Sequence, residues 1–128
     1  MSTPPKKRIL VIDDNLEHLL LDKTILEMQG LEVFTAQSGK DGLAILSEID
    51  RPNLILLDVH MGDMSGPEFL QALEEQKPEI IECVPVVFLT ASDTVPPSRA
   101  VGFIRKPMEL DQFLLDVQHF MEMGTCRS

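Results

Sequence analysis

The chain has 128 residues, enough for one domain with a buried core, and its 44% hydrophobic and 25% charged residues are ordinary for a globular protein. A formal net charge of −10 argues against binding nucleic acid or an anionic membrane through a general basic surface. No apolar run approaches the roughly 20 residues of a membrane span, and the polar N-terminus with Pro4 and Pro5 lacks the apolar core of a signal peptide.

The first apolar run is Arg8–Ile12 (RILVI), approached through a solvated basic flank, Lys6-Lys7-Arg8, and stopping at Asp13-Asp14. Leu16–Gln29 places Leu16, Leu19, Leu20, Ile25, Leu26 and Met28 at mostly helical spacing, and Gly30 closes it as a C-cap. A second strand, Leu31–Ala36, precedes a helix that Ser38 caps and that runs through Ile49. Leu54–Leu57 ends at Asp58, and Ser65 opens a helix to about Gln76, before Pro78. Pro85–Leu89 ends at Thr90, Gly102–Ile104 leads to Lys106, and a last helix spans about Glu109–Met123.

The strands are continuously apolar rather than alternating, the pattern of strands covered on both faces. Repeated strand–helix units joined by right-handed crossovers predict an α/β fold, a doubly wound five-stranded parallel sheet with helices on both faces. The exception is the crossover after Thr90. Only the twelve residues Ala91–Gly102 precede Phe103, and Pro96-Pro97 exclude a helix running through them, so the fourth helix is expected to be shortened or absent. The chain is expected to form a single domain, with a core of about 7–123 and a short tail over 124–128; no linker or repeat interrupts it. Cys83 and Cys126 make no disulfide framework, so a reducing, cytoplasmic setting is the default expectation.

The chemistry sits at the strand ends. In an open parallel sheet, ligands bind outside the carboxyl ends of the strands, where the strand order reverses. Asp14 and Asp58 are 44 positions apart, and Asp58 and Thr90 are 32 apart, yet this rule brings them to one crevice. A lone Asp after a strand is ordinarily a turn residue or a helix cap, and a lone Thr or a Lys before proline is plainer still. Their conjunction on one edge is what carries information. Three packed carboxylates repel unless a cation fills the gap, and hard oxygens with room for water suit Mg²⁺. Joined to a threonine hydroxyl and a lysine ammonium, the set fits phosphoryl transfer. Asp58 is the natural nucleophile, because carboxylates form aspartyl phosphates; Asp13 and Asp14 would hold the metal, while Thr90 and Lys106 would meet phosphoryl oxygens.

Four motifs carry a resemblance to a known family. "ILVIDDN", "LILLDVHMGDMSG", "VVFLTA" and "GFIRKP" together resemble the receiver domain of bacterial response regulators, over roughly Lys7 to Met121. The resemblance implies the CheY-like, flavodoxin-like strand order 2-1-3-4-5. It implies that Asp58 accepts phosphate from a phosphohistidine on a histidine kinase or a histidine phosphotransfer protein. It also implies that Asp14 and Asp58 ligate Mg²⁺ directly, Asp13 through water, and His60 through its main-chain carbonyl. Thr90 and Phe103 match the switch pair that reports phosphorylation, here by packing alone because Phe103 carries no hydroxyl. Signalling is expected to pass to a protein partner, with neither nucleic acid nor membrane bound and no catalysis beyond the domain's own phosphorylation and dephosphorylation.

Gly62 stands where that family usually has proline, which loosens the turn without removing a ligand. The His60 side chain is expected to point to solvent, and His18 and His119, on helices, have no paired metal-site spacing. Two other functions compete. A degenerate receiver would serve as a constitutive interaction module, which the intact five-residue set argues against. A phosphohydrolase of the haloacid dehalogenase type would want an Asp two residues after its nucleophile, where this chain has His60, and its acidic pair last rather than first.

Overall fold

The computed structural model describes residues 7–49, 51–90, 100, 102–105 and 109–123, and of Arg105 only the backbone. Its strands are β1 (Arg8–Ile12), β2 (Glu32–Ala36), β3 (Leu54–Asp58), β4 (Val86–Thr90) and β5 (Gly102–Arg105). Its helices are α1 (Leu16–Glu27), α2 (Gly39–Glu48), α3 (Gly66–Gln76), α4 (Pro78–Cys83) and α5 (Leu110–Met121). The strands form one sheet in the order β2-β1-β3-β4-β5, every pairing parallel. The fold class and the strand order are therefore those expected, and the order reverses between β1 and β3.

Successive residues of each strand feed opposite layers. Leu10, Ile12, Ile55, Leu57, Val86 and Phe88 pack with α2, α3 and α4 through Leu46, Phe69, Leu73 and Ile80. Ile9, Val11, Leu54, Leu56, Val87 and Leu89 pack with α1 and α5 through Leu19, Leu26, Phe113 and Val117. This two-sided cover is why the strands read as unbroken apolar runs. Arg8, read as part of a solvated flank, is half-buried and pairs with Glu32 at 3.2 Å on the neighbouring strand.

Helix boundaries follow local chemistry. Asn15, Ser38 and Ser65 each accept a backbone N–H from three residues on, at the starts of α1, α2 and α3. At the other end of α1, Gly30 has φ 83°, its N–H bonds the Glu27 carbonyl, and the Leu31 N–H bonds the Leu26 carbonyl. That is the Schellman arrangement, and glycine meets its left-handed backbone without steric cost.

One helix departs from expectation. Pro78 was expected only to follow the end of α3, but it is also the first residue of α4, which therefore lies in the β3–β4 crossover. The absent N–H of a proline costs nothing at a first helical position, so the same residue stops one helix and starts the next. The shortened helix expected between β4 and β5 falls on residues outside those described. Cys83, at the end of α4, also departs from expectation, since it is disulfide-bonded. Among the described residues, no helix is long and apolar enough to cross a membrane.

Candidate functional site

β1 and β3 are neighbours, and the apolar run of each gives way to aspartate, Asp13 just after β1 and Asp58 at the end of β3. The ligand oxygens of Asp13, Asp14 and Asp58 all lie within 4.8 Å of one another. Burial grades across the three: Asp13 is fully buried, Asp58 half-buried and Asp14 exposed. The cluster thus opens from the protein toward solvent.

Backbone donors set the two inner carboxylates. The Asn15 N–H donates to Asp13 Oδ1 at 2.9 Å, and Asn15 then caps α1 by accepting the His18 N–H at 3.1 Å. The His60 N–H donates to Asp58 Oδ1 at 3.2 Å. Each bond spans two residues, the local geometry by which Asp turns the chain after a strand. The plain reading of these residues as turn formers and their reading as a cluster are both correct.

The donor set suits Mg²⁺. All three side chains offer hard oxygens, and the open Asp14 side leaves room for retained water. Zinc- or copper-type sites draw on sulfur and imidazole, and this cluster has neither.

Thr90 ends β4 beside β3 and is buried. Phe103 lies on β5 in register with Phe88, and the residue is 45% exposed. The His60 side chain is exposed, as expected. Lys106 lies outside the described residues.

Sequence reasoning missed four residues around the site. His18 was read as an uninvolved helical histidine, but its Nδ1 lies 3.7 Å from Asp13 Oδ2. It is the third residue of α1 behind the Asn15 cap, a position from which a side chain folds back toward the residues before the helix; that spacing was the available signal. Gly66 begins α3 where a Cβ would lie 2.7 Å from the Phe88 ring, 3.2 Å from Val59 Cα and 3.3 Å from the Asp58 carbonyl oxygen. Its N–H closes the loop onto the Val59 carbonyl at 2.7 Å, and His60 and Ser65 pair across the same loop. Asp63 and Met64, in that loop, reach the start of α2.

Comparison with known proteins agrees with this geometry. The family described as response regulator receiver domain matches residues 9–118. The regulatory protein AtoC of Escherichia coli is 30% identical over 128 residues, covering 94% of this chain and 26% of its own length. The first curated relatives are matched over only 34% and 26% of their lengths, so the chain spans about a third of them or less. The chemotaxis response regulator CheY4 of Vibrio cholerae superposes with a TM-score of 0.79 at 26% identity, covering 91% of this chain and 99% of that one. TrrA of Thermotoga maritima, solved in complex with Mg²⁺ and BeF, gives 0.76 at 26% identity, covering 89% and 98%. An acidic cluster lies at the reversal of a 2-1-3-4-5 sheet, with a buried threonine on the next strand, and the match from residue 9 to 118 makes the chain a member of the response regulator receiver domain family.

Proposed function

We propose that the chain is a phosphoacceptor signalling domain that takes a phosphoryl group onto Asp58 from a phosphohistidine. The observation that carries this reading is the convergence of Asp13, Asp14 and Asp58 at the sheet's reversal point, with Thr90 buried on the adjacent strand end. In the step proposed, an Asp58 carboxylate oxygen forms a bond to phosphorus while the bond to the donor imidazole nitrogen breaks, and the imidazole leaves with its electron pair. Mg²⁺, when bound, neutralises charge on the phosphoryl oxygens. Asp14 and Asp58 would hold it directly, Asp13 through water, with the His60 main-chain carbonyl as a further ligand. The Asn15 and His60 N–H groups keep two of the carboxylates turned toward the crevice. Thr90 and Lys106 are assigned to phosphoryl oxygens, and Thr90 with Phe103 to the switch.

The donor is proposed to be a histidine kinase or a histidine phosphotransfer protein, and the output a protein partner. A cytoplasmic setting belongs to the same proposal through the family resemblance alone, because the disulfide at Cys83 removes the cysteines as support for it. The whole chain is proposed to act as one domain. The family match and the strand order favour this reading over the phosphohydrolase.

The test is intact mass after incubation with acetyl phosphate and Mg²⁺. The wild-type chain should gain one phosphoryl group, and Asp58→Asn or a metal-free reaction should gain none. An unmodified wild-type mass would point to the constitutive interaction module instead.

A further inference from the structure

The loop between β3 and α3 carries the residues that flank Asp58, and Gly62 weakens it. A side chain at Gly62 would meet nothing within 4 Å, and its φ is not positive, so neither space nor backbone requires glycine there. What glycine adds is conformational freedom.

The next two residues work in the opposite direction. Asp63 Oδ1 accepts the Gly39 N–H at 3.0 Å, and Asp63 Oδ2 accepts the Lys40 N–H at 3.0 Å. These are the first two residues of α2, whose own cap, Ser38 Oγ, takes only the Asp41 N–H at 3.1 Å. Asp63 thereby satisfies two backbone donors that the helix cannot, and sets a negative charge at the positive end of the helix dipole. Desolvation pushes the Asp63 carboxyl up, but the N–H groups of Gly39, Lys40, Asp63 and Met64 together outweigh it and hold the group below its ordinary value. Met64 packs against the same helix end, since a Cβ on Gly39 would run into the Met64 side chain. A helix end is thus capped from 24 residues away in the chain, by the loop that follows the proposed phosphoacceptor.

We propose that Asp63 is a positioning residue for the Asp58 site: its two bonds to the start of α2 fix the loop that presents Asp58 and the His60 carbonyl, supplying the stiffness that Gly62 gives up. The link is short. Asp63 lies inside the turn closed by the His60–Ser65 pairing and the Gly66-to-Val59 hydrogen bond, so displacing it displaces His60. The inference rests on the reading of Asp58 as a Mg²⁺-dependent phosphoacceptor.

Calorimetric Mg²⁺ titration of the folded chain tests it. Asp63→Ala should weaken Mg²⁺ binding by about tenfold, the low end of what losing a group that orients metal ligands costs. Ser38→Ala removes a cap from the same helix end without touching the loop. It should lower Tm by about 4 °C, as Asp63→Ala also does, while leaving Mg²⁺ affinity unchanged. Adding Gly62→Pro to Asp63→Ala should recover most of the lost affinity. If Asp63→Ala does not fold, Asp63→Asn, which keeps one accepting oxygen, should show a smaller loss in the same direction. Equal Mg²⁺ affinity in wild type and Asp63→Ala overturns the inference, as do equal losses in Asp63→Ala and Ser38→Ala. A wild type that binds no Mg²⁺ and accepts no phosphoryl group overturns the phosphoacceptor reading itself, and the positioning role with it.

Discussion

The carboxylates at the end of β1 and the one at the end of β3 meet in one cluster but are held by different means. Asp13 is fixed by the core: it follows four fully buried residues, its N–H bonds the Ala36 carbonyl of β2 at 3.1 Å, and it is itself buried. Asp58 leaves an equally buried strand, and the loop beyond it is seated by the buried Val59 and Met61 together with side-chain caps and one close backbone approach. Both ends rest on apolar packing, and what sets the second apart is a longer loop whose polar caps reach α2 and α3. Substitutions in that loop's polar caps should therefore leave the β1 end in place and shift the β3 end.

Gly66→Ala should separate the two ends most. The added methyl meets the fully buried Phe88 ring and the Val59 and Asp58 backbone, which cannot all move aside. Overpacking of this kind costs about 1–3 kcal/mol. Thermal denaturation should show the loss, and amide chemical shifts should move at Val59 and His60 while those of Ile12 and Asp13 stay. Shifts of equal size at both strand ends would show that the loop has no independence.

Ser65→Ala comes next. Ser65 and Glu68 form a reciprocal capping box, with Glu68 N–H to Ser65 Oγ at 3.2 Å and Ser65 N–H to Glu68 Oε1 at 3.0 Å. Losing the hydroxyl should cost about 1 kcal/mol. The backbone and side-chain hydrogen bonds from Ser65 hold the Glu68 carboxyl below its ordinary 4.5. A depressed folded value means that the fold favours the ionised form, so this contribution is complete above pH 4.5 and fades as pH falls below it. The stability gap between wild type and Ser65→Ala should narrow in acid denaturation curves from pH 6 to pH 3. A constant gap would mean that the box contributes through the hydroxyl alone.

The smallest effect should be a gain. Gly62→Ala meets open space and needs no left-handed backbone, so it should stabilise the chain by about 0.4–1 kcal/mol by restricting the unfolded state. A destabilised Gly62→Ala in chemical denaturation would show that the loop needs its freedom there.

The same division explains what the sequence disclosed. The five strands were legible because two-sided burial writes itself as continuous apolar runs. The meeting of Asp13, Asp14 and Asp58 followed from topology once those runs were placed. Local caps at Ser38 and Ser65 were equally plain. What stayed hidden depends on side chains crossing long stretches of chain. The Asp63 bonds to Gly39 and Lys40, the seat of Met64 on Gly39 and the approach of His18 to Asp13 have no periodic signature. Pro78 shows a local limit of another kind, because a proline is as fit to begin a helix as to stop one, and only packing of Ile80 and Ile81 in the core decides.

The strict alternation of the strands has a consequence for how this chain changes over evolutionary time. The residues facing α1 and α5 and those facing α2, α3 and α4 form two separate sets. The helices of one side can be rewritten to suit a new partner while the other side, with the loop it anchors, keeps its shape. The acidic cluster at the strand ends can thus outlast the rewriting of either helical layer.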